Sequence, residues 1–382
     1  MTRTKLLLPL ILVPTLNAFS GASFAAPQHA TVPASVQAAM SGYKISVFAQ
    51  NPAGSSHPDD IIQIGQNVFI GYQDSVNPDG TPIGSAPASG QVVEYDLHGK
   101  IVQTFTAPGH IDGLLADNAT TLWVSADEDG NPKLTVINLA NNTQATYTPD
   151  TGAAPLPHGG GLDDMKLVNN QVYVSASSPT TTMTPSPNLA PYSTDSSGAT
   201  AQYGVNTGPA LYTMSLNSDG KTFHLTPALM SSTPTTLLLG NIAVTLNMTD
   251  ADSSAIDPAG DLVVDSQQDS ELVFIHNPGS SQTVGVLPVA LYGNPWPLDD
   301  VRWAPTESSF ILVSDTPAGI VYRVDASRGF TPGAAYAAGQ GSILQLDPTT
   351  GNLTPIYVGL NAPHGMNFIT REWASREKDG QK

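Results

Sequence analysis

The chain has no cysteine among its 382 residues, so a disulfide framework, a thiol nucleophile and a thiolate-bound zinc or iron-sulfur centre are all excluded. Stability has to come from buried core, and a chain of this length can bury most of its apolar surface without covalent staples. Basic residues are scarce as well, with 14 Lys and Arg against 32 Asp and Glu. Setting aside residues 1–25 and the segment from Arg371 onward leaves 8 basic against 29 acidic residues, a net charge of -21. Such a body repels nucleic acid and anionic lipid. Only six of the 32 acids are Glu, and because Asp favours turns where Glu favours helices, the split points to a turn-rich fold. The 34 Gly and 32 Pro agree. No stretch of ten or more residues between Ser41 and Thr370 repeats with the 3.6-residue period of a helix.

What is present begins with a leader. Arg3 and Lys5 precede an apolar run from Leu6 to Leu16, and Ser23-Phe24-Ala25 supplies a small-x-small cleavage pattern. The run is far shorter than the roughly 18 to 20 residues that span a bilayer. The expected division is a signal peptide at 1–25, a lead-in at 26–42, one β domain at 43–370 and a tail at 371–382. This predicts a periplasmic or secreted protein with no transmembrane segment in the mature chain, acting as a monomer.

The body repeats itself. Val68-Phe69-Ile70-Gly71, Leu122-Trp123-Val124-Ser125, Val172-Tyr173-Val174-Ser175, Leu262-Val263-Val264-Asp265 and Ile311-Leu312-Val313-Ser314 are versions of one strand. About ten residues ahead of such strands lies a second recurring string, at Asp59-Asp60-Ile61, Asp112-Gly113-Leu114, Asp163-Asp164-Met165, Asp252-Ser253-Ser254, Asp299-Asp300-Val301 and His364-Gly365-Met366. Third and fourth strands follow most copies. Units of about 40 to 50 residues with four short strands each are the signature of propeller blades, which bury their faces only against neighbours. The leading strings are spaced by 53, 51, 89, 47 and 65 residues, which predicts six blades with insertions in the third and fifth. Residues 178–208 and part of 231–249 read as long loops. The fold class expected is therefore all-β, a six-bladed β-propeller of four-stranded antiparallel blades around a central channel. A large β-sandwich is the alternative, but it does not predict a repeat that restarts in one frame. Residues 43–48 read as an outer strand that shares a closing blade with the C-terminal string, and that blade's middle strands are not evident.

If the leading strings open the innermost strands, their first residues point at one tunnel mouth. That ring is Asp59, Asp112, Asp163, Asp252, Asp299 and His364, with Asp60, Asp164 and Asp300 one residue further on. His57, His110 and His158 lie nearby in sequence, and Trp296 precedes the fifth string. Carboxylates with a few imidazoles suit a divalent cation, Ca2+ or Mg2+ by their oxygen content, with zinc or manganese open through the histidines. The competing role for these Asp residues is to accept backbone N–H bonds from the adjoining blade. The Asp127-Glu128-Asp129-Gly130-Asn131 run reads as a solvated hairpin turn rather than a calcium loop, and His158-Gly159-Gly160-Gly161 lacks the nucleophile elbow that a hydrolase oxyanion string accompanies.

Pro363-His364-Gly365-Met366, with the strands 256–265 and 311–315, resembles the repeats of NHL and SMP-30/gluconolactonase-like propellers over roughly residues 43–369. That resemblance implies a group containing calcium-dependent lactonases, which hold the ion with Glu, Asn and Asp, magnesium-dependent lyases that act through His and Glu, and members that only bind. No Glu opens a blade near the N-terminus here, a departure from the lactonase pattern. Two functions stand open. The first is an exported propeller that binds a small ligand, cation or exported protein at its funnel and long loops, with Asp59, Asp163 and Asp299 bonded to backbone. The alternative is a divalent-metal-dependent hydrolase or lyase using the Asp/His ring, with His110 or His364 as general base.

Overall fold

The computed structural model describes residues 30–152, 161–176, 208–279 and 281–370. The expected leader, the tail, His158 and nearly all of the 178–208 loop lie outside the described residues. Of the two units into which the chain divides, Met1–Ala30 is therefore represented by its last residue only, and everything below concerns Thr31 onward.

Strands pair into six four-stranded antiparallel blades. Blade 1 is Pro58–Ile64, Asn67–Tyr72, Ser89–Asp96 and Ile101–Pro108. Blade 2 is Ile111–Asn118, Thr121–Ala126, Lys133–Asn138 and Thr143–Pro149. Blade 3 is Met165–Val168, Gln171–Ser175, Pro209–Leu216 and Thr222–Met230, its outer strand running parallel to that of blade 2. Blade 4 is Ala251–Ile256, Leu262–Ser266, Glu271–His276 and Thr283–Pro288, extended at its rim by the hairpin Pro234–Leu237 and Ile242–Thr245. In each blade the first-named strand is innermost, and successive inner strands pack side by side around a closed ring.

Blades 5 and 6 are interlocked. Asp300–Trp303 opens blade 5, but the chain then crosses to blade 6 for Phe310–Asp315 and Ile320–Ala326. It returns to complete blade 5 with Ala335–Gly339, Ser342–Leu346 and Asn352–Val358, and ends in Pro363–Ile369, the inner strand of blade 6. Tyr43–Gln50 closes blade 6 on the outside, pairing with Ile320–Ala326. This corrects the expectation that Ile311-Leu312-Val313-Ser314 follows Asp299-Asp300-Val301 within one blade. It also supplies the middle strands missing from the closing blade. The register shows why: Ile311 lies opposite Phe368 and Val313 opposite Met366, while Asp315 accepts the N–H groups of Asn361 and Ala362 and so fixes where the last strand begins.

The core is distributed over six interfaces, one between each pair of neighbouring blades. Phe69, Val92 and Phe105 of blade 1 meet Ile111, Leu122 and Val124 of blade 2, and equivalent layers separate the other pairs. Blade 6 meets blade 1 through Phe310, Leu312 and Val321 against Ile61, Val68 and Ile70. Side chains alternate across a strand with period two, so Ile311 and Val313 face blade 5 while Phe310 and Leu312 face blade 1. That demand on both faces explains why the repeat reads as unbroken apolar runs instead of alternation. Among the described residues no helix is long and apolar enough to cross a membrane.

Candidate functional site: an acidic funnel with a groove beside it

The inner strands start at one end of the ring, so the leading strings converge there as two tiers. The upper tier is Asp59, Asp112, Asp163, Asp252, Asp299 and His364, and all six line a single cavity of about 200 Å³. The lower tier is Asp60, Gly113, Asp164, Ser253, Asp300 and Gly365, and it holds the blades together.

In the lower tier three carboxylates clamp alternate interfaces. Asp60 accepts the Leu114 N–H at 2.8 Å, Asp164 accepts the Ser254 N–H at 2.8 Å, and Asp300 accepts the Met366 N–H at 2.7 Å. Blades 1, 3 and 5 thus each grip the next blade. Glycine in blades 2 and 6 has a steric cause, since a Cβ on Gly113 would lie 2.7 Å from the Asp163 carbonyl oxygen and one on Gly365 would lie 2.4 Å from that of Asp59. Arg302 sits among the three carboxylates, bonded to Asp300, 3.8 Å from Asp60 and 4.0 Å from Asp164, which also binds Lys166 at 2.5 Å. Burial and the charge of Asp164 raise Asp60 to about 7, whereas at Asp164 the burial penalty is outweighed by Lys166 and Arg302, which hold it below the usual carboxylate range. Asp60 reaches the funnel cavity, while Asp164 and Asp300 serve the clamp.

The upper tier carries different chemistry. The backbone N–H groups of the next blade bond to the lower tier, whereas Asp59, Asp163 and Asp299 face side chains. His364 lies with its Nδ1 3.2 Å from Asp59 and 3.5 Å from Asp299, and Asp299 also accepts a 2.6 Å bond from Gln267. Burial disfavours the imidazolium, yet Asp299 and Asp59 outweigh it and push His364 to about 10. One ring nitrogen thus faces two carboxylates, an arrangement that favours the imidazolium form. His110 Nδ1 is 2.5 Å from Asp112 Oδ1, and the other oxygen of Asp112 accepts the Glu128 N–H at 3.1 Å.

Glu128, Asp163 and Asp252 form a third cluster whose ligand atoms lie within 4.8 Å of one another. Burial, then mutual repulsion among neighbouring carboxylates, raises all three well above their usual values. Asp163 Oδ2 is buried and has no hydrogen-bond partner. A buried, unpartnered oxygen on a carboxylate grouped with two others is what a cation repairs, and hard oxygen donors suit calcium or magnesium. The donor set therefore fits the divalent ion.

The sequence pattern places Glu128 in a solvated turn, and the structure corrects this. Asp127 is fully buried, accepts the His110 N–H at 2.8 Å and pairs with Lys133, and this turns Glu128 into the funnel. The signal for it was positional: the second strand runs antiparallel to the first, so a residue just past its end lies beside the ring. Gln73 and Gln267, which align with Asp127 at the ends of the second strands of blades 1 and 4, line the cavity too. His57 is exposed, bonded to Ser56 at 3.1 Å and outside all three clusters. Trp296 lines not the funnel but a groove of about 920 Å³ beside it, which shares Gln267, Asp299 and His364 with the funnel.

No family model matches the sequence, and no curated protein matches it. Solved structures do. The chain is similar to the periplasmic gluconolactonase PpgL of Pseudomonas aeruginosa, at 10% identity, covering 86% of this chain and 99% of that one with a TM-score of 0.46. It is similar to virginiamycin B lyase from Staphylococcus aureus at 11% identity, covering 82% and 73% with a TM-score of 0.41, and to a protein from Lactobacillus plantarum at 12%, covering 82% and 89% with a TM-score of 0.43. At such identities the architecture rests on this chain's own closed ring of inner strands and its six apolar interfaces.

Proposed function

We propose that the chain is an exported hydrolase that depends on a divalent cation and opens a small, uncharged ester or lactone in its funnel. The observation that carries this is the unpartnered Asp163 Oδ2 beside Asp252 and Glu128. Those three residues would hold the ion, Ca2+ or Mg2+ by donor chemistry. When bound, the ion supplies a Lewis acid that polarises a carbonyl oxygen. Asp112 orients His110, grouped with Glu128, and His110 takes the proton of the water that adds to the ester carbonyl carbon; the acyl carbon-oxygen bond of the ester then breaks as that adduct collapses. The His364 imidazolium across the cavity donates a proton to the departing oxygen. The funnel's surplus of carboxylates disfavours an anionic substrate and repels the carboxylate product.

The test is acid release from δ-valerolactone in a pH-stat, with wild type and Asp163→Asn, before and after EDTA. Hydrolysis that disappears with EDTA, returns with calcium or magnesium and falls by about 100-fold or more in Asp163→Asn is expected. A rate indifferent to both chelator and substitution overturns the proposal.

A further inference from the structure

We infer that the groove beside the funnel is a binding site for an uncharged, ring-bearing small molecule, which stacks against Tyr292 and Trp296 and offers an oxygen acceptor to the Trp296 indole N–H. This deepens the hydrolase reading, on which it rests for the identity of the ligand as substrate. The groove would hold the non-reacting part while the ester reaches the funnel.

Four observations meet here. The groove's volume, about 920 Å³, is that of a small-molecule site, and it opens directly onto Gln267, Asp299 and His364 of the funnel. Its apolar wall includes Leu291, Leu298 and Leu360. Trp296 Nε1 is buried without an acceptor. A donor left unpaired inside a protein is costly, and a small turn of the half-buried indole toward the groove would let a ligand oxygen satisfy it. The last observation is Tyr292. It caps the hairpin formed by Ala290–Leu291 and Asn294–Pro295, with φ of 52° there and 78° at Gly293. Left-handed backbone at both turn positions is the type I′ pattern, which favours Asn-Gly. A tyrosine in that place is strained, and the residue is 83% exposed at the groove's rim. Strain and exposure of a large ring coincide at a turn residue on the groove's rim, where a ligand would stack on it.

Charge selects the class. The groove is lined by no Lys or Arg among the described residues, and Asp299 lies at its inner end. A carboxylate or phosphate ligand would find no counterion apart from His364, which two carboxylates already hold. Aryl and pyranose rings share the chemistry required, an apolar face with an oxygen acceptor at its edge.

Saturation-transfer NMR on the purified full chain tests this with benzamide as an aryl probe, methyl β-D-glucopyranoside as a pyranose probe and benzoate as the anionic isostere. Wild type, Trp296→Phe and Tyr292→Asn are compared, each with and without EDTA. One neutral ring is expected to bind saturably, which identifies the ring type, with benzoate about tenfold or more weaker. Trp296→Phe should weaken binding about three- to tenfold, and Tyr292→Asn by a similar factor. Tyr292→Asn should at the same time raise the melting temperature, because Asn relieves the turn, so lost binding in that variant cannot be lost folding. Absence of binding by both neutral rings, equal binding of benzoate, wild-type affinity in both variants, or loss of ring binding with EDTA overturns the inference. Ring binding that persists while δ-valerolactone hydrolysis is absent refutes the hydrolase reading alone.

Discussion

At the scale of single residues, the blades can be compared position by position. Opposite the lower tier, on the second strand, blades 2, 3 and 6 place Ser125, Ser175 and Ser314. Each donates to an inner-strand carbonyl, of Asp163 at 2.5 Å, Asp164 at 3.3 Å and Gly365 at 3.2 Å respectively. Blade 4 places Asp265 there, 1% exposed, with neither oxygen hydrogen-bonded. Burial, then the charges of Asp300, Asp299 and Asp163, raises it well above the usual carboxylate range. A buried polar group without partners costs about 1 to 3 kcal/mol. Asp265→Ser, which restores the residue that blades 2, 3 and 6 use, should therefore stabilise the cation-free protein by a comparable amount in denaturant unfolding. An unchanged or lowered midpoint would show that Asp265 has a structural partner in solution.

At the scale of the element, the unit is the pair of inner strands joined by a carboxylate clamp. Asp60 binds both its own neighbour Ile61 and Leu114 of the next blade, and its pKa is raised from 3.8 to about 7. A carboxyl raised on folding contributes stability that is complete below its unfolded value of 3.8 and is lost as pH rises through about 7. The lowered Asp164 acts in the other direction only below 3.8, outside that window. The melting temperature of the cation-free protein should then fall between pH 4 and pH 8, and Asp60→Asn, which cannot ionise, should flatten the fall. Equal slopes for the two proteins would exclude Asp60 as its source. The same clamp shows what the sequence made legible. Both tiers were visible because Asp recurs at fixed distance from a recurring strand, but Asp59 and Asp60 look alike in sequence. Only the twist of the inner strand decides that the first faces the cavity and the second the neighbouring backbone. Glu128 was hidden because its position is set by the buried Asp127 turn, a contact between strand ends that no periodicity records. The groove was hidden because it joins the hairpin 290–295 to residues near 360, far apart in the chain.

At the scale of the whole molecule, closure is the governing fact. Blade 6 is assembled from three distant segments, Tyr43–Gln50, Phe310–Ala326 in two strands, and Pro363–Ile369. Blade 5 is interrupted by the middle one. The segment 310–326 leaves blade 5 and returns to it, and the ring cannot close until both blades are complete, so blades 5 and 6 together with blade 1 should open as one cooperative unit. Long loop closure makes that unit slow to form, and its apolar layers on both sides make it costly to open. Native-state hydrogen exchange at low denaturant measures this directly. Amides of 310–326, 335–358 and 363–369 should exchange through a single opening with one free energy and one denaturant dependence. The outer hairpin 234–245 of blade 4, whose Leu238, Leu239 and Ile242 are exposed, should exchange earlier. Separate opening energies for 310–326 and 335–358 would mean that the two blades are independent despite their interleaved strands. The funnel, whose upper tier draws Asp299 and His364 from the two interlocked blades, would then not be held as one rigid site.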